Sequence, residues 1–122
     1  MPLYTAITQD SLPVEAKARI AEEITRIHTE VMKVPKSFVH MIFLSYPKGS
    51  GYTAGKEGPC ASLNCTLRTG HTVDEKTNLL KQLWPIFQSL SAVATDQLVI
   101  SLQEIPASNA MEMGQVMPAV SK

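Results

Sequence analysis

Long apolar runs, net charge, cysteine and aromatic side chains are all scarce in this sequence. No stretch of 18 apolar residues occurs, so no membrane-spanning helix, and no membrane partner, is expected. Eleven basic side chains are matched by 11 acidic ones. A broad nucleic-acid footprint needs a basic surface, so no nucleic-acid partner is expected either. The two cysteines, Cys60 and Cys65, form no Cys-x-x-Cys, and His28, His40 and His71 are scattered, so no metal site is read. No glycine pattern for phosphate sits between a strand and a helix, so no cofactor is expected. The N-terminal stretch lacks a basic segment followed by an apolar one, so no signal peptide is read there. Free thiols in a cytoplasmic, globular protein follow as the expectation.

What is present is a repeat. A chain of 122 residues is one domain's worth. Shifted by 59, its halves align without a gap: "VEAKARIAEEITRIHTEV" from Val14 lies over "VDEKTNLLKQLWPIFQSL" from Val73. Ile20 meets Leu79, Ile24 meets Leu83, and Pro47 meets Pro106. The units are placed at about 2–47 and 61–106, with a connecting loop at 48–60 and a tail at 107–122.

Each unit reads strand, helix, strand. The first strand is expected at Leu3–Thr8, echoed at Leu63–Leu67. A helix is expected near Leu12–Lys33, because Ile20, Ile24, Ile27 and Val31 step along one helical face. Asp10 or Ser11 is expected to cap it, with Pro13 in the first turn. A second helix begins at Thr72, where "TVDE" is a capping box closed by Glu75. Its expected buried stripe is Leu79, Leu80, Leu83, Phe87 and Leu90. "SFVHMIFL" and "QLVISLQEI" read as closing strands. "PKGSGYTAGKEGP", with four glycines and two prolines, reads as a long loop or a hairpin.

The expected class is α+β: tandem β-α-β units forming a four-stranded mixed sheet. Right-handed crossovers place both helices on one face. The other face is left bare and needs a cover, for which another copy of the chain is the simplest source. The layer count therefore points to a homo-oligomer.

Pro2 stands directly before the first strand. Proline has no N–H for a sheet and is tolerated at a strand start, so its position alone is ordinary. With Met1 removed, however, its nitrogen becomes a terminal secondary amine.

Pro2 at a strand start, followed by two β-α-β units of near-equal length, resembles the tautomerase superfamily. The segment from Cys65 to Pro106 looks like a short 4-oxalocrotonate tautomerase chain without its proline. The fused arrangement, with "RIAEEITRIH", "LRTGHT" and "EIPASNAMEMG", is most similar to the cis-3-chloroacrylic acid dehalogenase family. The likeness runs from Pro2 to about Gly114. It implies a trimer and a site around the N-terminal proline that takes a small carboxylate substrate. Carried over by position, it places catalytic roles on Pro2 and Glu112, and substrate-binding roles on His28 and Arg68. A second family arginine falls on His71 and a water-activating tyrosine falls on Ser101. Both departures count against hydrolytic dehalogenation and leave the proline chemistry intact.

The residue types suit proton transfer. An α-amine beside a cation such as Arg68, in an apolar pocket, disfavours its own charge and becomes a base. Glu112 pulls the other way, so base and acid roles for Pro2 both stay open. Arg68 matches a carboxylate with its planar donors, and His28 and His71 add hydrogen bonds. The expected reaction is keto–enol tautomerisation of a small 2-oxo acid. Hydration, dehalogenation or decarboxylation of a three-carbon acid by the same proline is the alternative. A non-enzymatic, ferredoxin-like ligand-binding module also has this element order. Its RNA-binding version is disfavoured because "SLNCTLR" carries no aromatic. Bland readings stand beside each residue: strand punctuation for Pro2, a structural histidine for His28, a solvated strand end for Arg68, a cap neighbour for His71 and a solvated charge for Glu112. Ser101 carries little weight, and His40 reads as structural or interfacial.

Overall fold

The computed structural model describes residues 1–120. In chain order it contains β1 (Leu3–Gln9), α1 (Val14–Met32), β2 (His40–Tyr46), β3 (Tyr52–Thr53), β4 (Lys56–Glu57), β5 (Ala61–Arg68), α2 (Val73–Ser91), β6 (Leu98–Ile105), β7 (Met111–Glu112) and β8 (Gln115–Val116). The main sheet has the order β2-β1-β5-β6. β1 runs parallel to β2 and β5 parallel to β6, while the two units meet antiparallel along β1 and β5, with Tyr4 opposite Cys65. This is the expected α+β arrangement of two β-α-β units in a mixed four-stranded sheet.

The period-2 alternation of the central strands sets the two faces. Tyr4 and Ala6 of β1 and Ala61, Leu63, Cys65 and Leu67 of β5 are buried beneath the helices. Ile20, Ile24 and Ile27 of α1 and Leu79, Leu83 and Phe87 of α2 complete that core. Leu80 and Leu90, expected in the α2 stripe, are half-buried at its edge. On the opposite face Leu3, Ile7, Ile42, Leu44 and Val99 remain exposed. No helix among the described residues is long and apolar enough to cross a membrane.

The repeat is legible in the backbone. Both helices have 19 residues, begin 59 positions apart, and end in left-handed caps, Lys33 at φ 58° and Ala92 at φ 59°. The same shift relates the hairpin β3–β4 to β7–β8. Each turns through two positive-φ residues, Ala54–Gly55 and Met113–Gly114, the geometry that matches strand twist in a two-residue hairpin.

Two local expectations are corrected. Neither Asp10 nor Ser11 caps α1: Pro13 occupies the cap position with no side-chain bond, Asp10 turns through φ 57°, and the Ser11 hydroxyl donates to Leu12 O. The fixed φ of Pro13 suits the helix entry, and Ser11 stands two residues ahead of the cap position, too early to reach the free N–H groups. The first closing strand starts at His40, because Lys36–Phe38 forms a 3-10 turn after Pro35. Thr72 and Glu75 do form the expected capping box on α2.

Candidate active site around the chain start

Side-chain alternation puts Pro2 and Tyr4 on the helix side of β1, and both are fully buried. The Pro2 carbonyl accepts the N–H of His40 at 3.0 Å, which fixes the chain start against β2. His28, one turn after Ile24 on α1, reaches the same spot. Its Nδ1 lies 2.7 Å from the Tyr4 hydroxyl, and the two rings meet edge to face. Cys65 stands opposite Tyr4 across the sheet, with its thiol near enough to bear on that hydroxyl's protonation.

Burial dominates the protonation of this trio. It holds the Tyr4 hydroxyl well above its ordinary range and pushes the Cys65 thiol up to about 12. His28 is driven down to about 4, first by burial, then by His71 and the N-terminal ammonium. All three are uncharged near neutral pH.

Arg68 ends β5 on the alternate side of the strand from buried Leu67. Its Nη1 donates to the Pro118 carbonyl at 2.6 Å. Gly70, at φ 131°, lets the tail cross closely: a Cβ there would stand 3.0 Å from Cβ of Val120. His71 follows, just before the Thr72 cap. From the C-terminal side, β7 brings the Glu112 carboxylate onto the Met1 ammonium as an ion pair, both groups largely shielded from water. Burial, and then Arg68, push that amine below its ordinary 8.0, while Cys65 acts in the opposite sense. While Met1 is in place the Pro2 nitrogen is a peptide nitrogen, and the Met1 amine samples the surroundings of the chain start.

Pro2, His28, Arg68, His71 and Glu112 are thus brought to one place by β1, α1, β5, the turn before α2, and β7. Of these five, only Glu112 lines the open cleft of about 570 Å³ beside the chain start, together with Met1, Leu3, Met41, Ile105 and Met111 among others. His40 and Asn109 also line it. Ser101 does not. It lies on the exposed face of β6, where its hydroxyl donates to Asn64 Oδ1 at 3.0 Å. Sequence reasoning missed Tyr4 and Asn109. Tyr4 carried a usable signal, since residues two apart in a strand share a face; Asn109 carried none.

The whole chain, residues 1–122, matches the family model Tautomerase_3, described as "Putative oxalocrotonate tautomerase enzyme". No match was found among curated proteins. Among solved structures, native Ps01740 is similar at 30% identity and a TM-score of 0.86, covering 90% of this chain and 99% of that one. N1, a member of the cis-3-chloroacrylic acid dehalogenase family, is similar at 25% identity and a TM-score of 0.90, covering 97% of this chain and 85% of that one. The asymmetric trimer of the F6 fused 4-OT shares the fold at 18% identity and a TM-score of 0.86, covering 93% and 94%. With a family match over its entire length, the chain belongs to the oxalocrotonate tautomerase-like family of the tautomerase superfamily.

Proposed function

We propose that the chain, after loss of Met1, is a tautomerase in which the Pro2 amine transfers a proton in keto–enol tautomerisation of a small 2-oxo carboxylic acid. One observation carries the reading: the amine at the chain start is half-enclosed between the Glu112 carboxylate and the Arg68 charge, at the mouth of an apolar cleft. Burial and Arg68 make an amine there easier to deprotonate, as a base working near neutral pH requires. The neutral amine takes the enol O–H proton and returns a proton to the neighbouring carbon. Arg68 binds the carboxylate, and His28 and His71 hydrogen-bond its oxygens or the carbonyl. Glu112 holds the ammonium form between the two transfers.

Assembly as a homotrimer belongs to the same reading. The exposed face carrying Ile42, Leu44 and Val99 needs a cover, and the F6 and Q0 fused 4-OT structures are described as trimers. Sedimentation at micromolar concentration tests it, and a monomer would sink it.

The likeness to N1 favours a second reading, addition of water to an unsaturated or halogenated three-carbon acid, with Glu112 orienting the water. The experiment that separates these uses enol-phenylpyruvate and a cis-3-haloacrylate as substrates. Wild type and Pro2→Ala are compared, each with Met1 removal verified by intact mass. Ketonisation that collapses in Pro2→Ala supports the tautomerase. Activity on the haloacrylate alone transfers the assignment to the second reading. Equal activity in both proteins removes Pro2 from the chemistry.

A further inference from the structure

Buried polar groups need partners, and a buried pair is costly where an apolar pair would serve. The duplication supplies a comparison within the molecule. Tyr4 and His28 correspond, by the 59-residue shift, to Leu63 and Phe87, and all four are essentially inaccessible. The fold therefore fills this position with an ordinary apolar contact in one half. In the other half it fills it with a hydrogen-bonded pair against the chain start.

The direction of that bond decides which ring nitrogen of His28 carries the proton. The Tyr4 hydroxyl has one hydrogen; it bonds His28 Nδ1 at 2.7 Å, with the Cys65 thiol as the competing neighbour across the sheet. An imidazole nitrogen is a far better acceptor than sulfur, and a thiol is a weak donor. The favourable arrangement sends the Tyr4 hydrogen to Nδ1 and lets the Cys65 S–H donate to the phenolic oxygen. The reverse would direct O–H onto sulfur and lose the stronger bond.

We propose that Tyr4 is a positioning residue: its hydroxyl donates to Nδ1 of His28 and so fixes the His28 proton on Nε2, making His28 a neutral hydrogen-bond donor to a substrate oxygen. The role in turnover rests on the tautomerase reading above, whereas the tautomer itself does not. The orientation of a histidine by a bond to its other nitrogen is what gives the ring a single donor direction. A neutral donor also polarises an enol or carbonyl oxygen without adding a second cation beside the amine.

Long-range nitrogen NMR of the full chain, free of substrate at neutral pH, reads the tautomer directly. The wild type is expected to show His28 protonated on Nε2. Tyr4→Phe, which removes the hydroxyl and keeps the ring, is expected to show a mixture or the opposite tautomer, and Cys65→Ala is expected to match wild type. In ketonisation assays Tyr4→Phe should lose about tenfold in kcat, the worth of one well-placed hydrogen bond, with KM for the acid little changed. A wild-type proton on Nδ1 overturns the proposal, and so does an unchanged tautomer or an unchanged kcat in Tyr4→Phe. The wild-type spectrum needs no variant, so a folding defect in Tyr4→Phe leaves the question decidable. An inactive wild type with His28 protonated on Nε2 would count against the tautomerase reading alone.

Discussion

Glu112 and Thr53 occupy the same place in the two halves of the molecule, each the second residue of the first strand of a two-residue hairpin, yet only Glu112 binds the N-terminal ammonium. The asymmetry runs through every candidate position. By the same shift Pro2 corresponds to Ala61, His28 to Phe87, Arg68 to Gln9 and His71 to Leu12. A cleft of about 390 Å³ lies at the matching place in the other half, lined by Ile7, Tyr46, Tyr52 and Cys60 among others. There the Tyr46 hydroxyl accepts the N–H of Cys60 at 2.8 Å and donates to the Cys60 carbonyl, tying down a strand start that has no free amine. The duplication doubles the scaffold, and the proposed chemistry sits on one copy.

Removing the two charges beside the amine should move its titration in opposite directions. Glu112 favours the ammonium, so Glu112→Gln lowers the amine pKa. Arg68 disfavours it, so Arg68→Ala raises that pKa. If neutral Pro2 is the base, kcat/KM rises as the amine deprotonates. That limb moves to lower pH in Glu112→Gln and to higher pH in Arg68→Ala. Arg68→Ala also loses about 10- to 100-fold in kcat/KM for a carboxylate substrate, from the charged hydrogen bonds it gives up. A pH–rate series on the Met1-free proteins checks both, and limbs that move together would remove one of the two groups from the site.

The scaffold was legible because its signals are periodic. Ile20, Ile24 and Ile27 announce a helix face, Thr72 and Glu75 announce a cap, and the 59-residue shift announces the second unit. The α1 cap was misread because Asp10 and Ser11 are cap residues by type, while the proline two positions beyond Ser11 fixes the helix entry by backbone geometry. The candidate site was legible only through resemblance. Glu112 is remote from Pro2 in sequence, and nothing in the tail's composition says that a hairpin carries it back to the chain start. Tyr4 went unread, because a tyrosine in a strand is unremarkable until its hydroxyl is seen on His28.

The two helix starts should respond differently to the same kind of substitution. Thr72 accepts the N–H of Glu75 at 3.1 Å, while the Thr72 N–H donates to Glu75 at 2.8 Å. Thr72→Ala removes half of that box and should cost about 1 kcal/mol. Among the described residues Ser11 bonds only to the neighbouring Leu12 carbonyl, at 3.4 Å, so Ser11→Ala should be neutral. Urea midpoints with unchanged slopes measure both. A loss in Ser11→Ala equal to that in Thr72→Ala would restore Ser11 as a working cap.

His28 should make the fold sensitive to mild acid. Its folded pKa of about 4 lies below the ordinary 6.5, so the unfolded chain binds the proton first as pH falls. The stability tied to neutral His28 is complete above pH 6.5 and drains away as pH falls from 6.5 towards 4. Below that both states are protonated and the loss levels off. The full amount is about 3 kcal/mol. Tyr4→Leu/His28→Phe, which copies the Leu63–Phe87 pair, should fold and should lack this limb. Denaturation midpoints across that pH range, wild type against the double variant, check it. Parallel curves would mean that His28 titrates alike in both states.

The tail should compete with substrate for Arg68. The Pro118 carbonyl accepts from Arg68 Nη1 at 2.6 Å, and Gly70 gives Val120 room to lie against the same turn. A carbonyl is a neutral acceptor, and a carboxylate is a stronger, charged one that the guanidinium fork fits with two parallel bonds. Binding an acid therefore requires exchanging the Pro118 contact for the carboxylate. Ending the chain at Met117 removes the competitor while keeping the β7–β8 hairpin that carries Glu112. The Met117 N–H bond to Ala110 O, at 2.8 Å, stays in place to close that hairpin. One neutral hydrogen bond is worth about 0.5–1.5 kcal/mol, so the truncated chain should bind a simple 2-oxo acid about 2- to 10-fold more tightly. Inhibition constants for a saturated acid, measured on the full and truncated chains, give the answer. Weaker binding by the truncated chain would mean that the tail is part of the carboxylate site, helping to hold Arg68 in a binding position instead of blocking it.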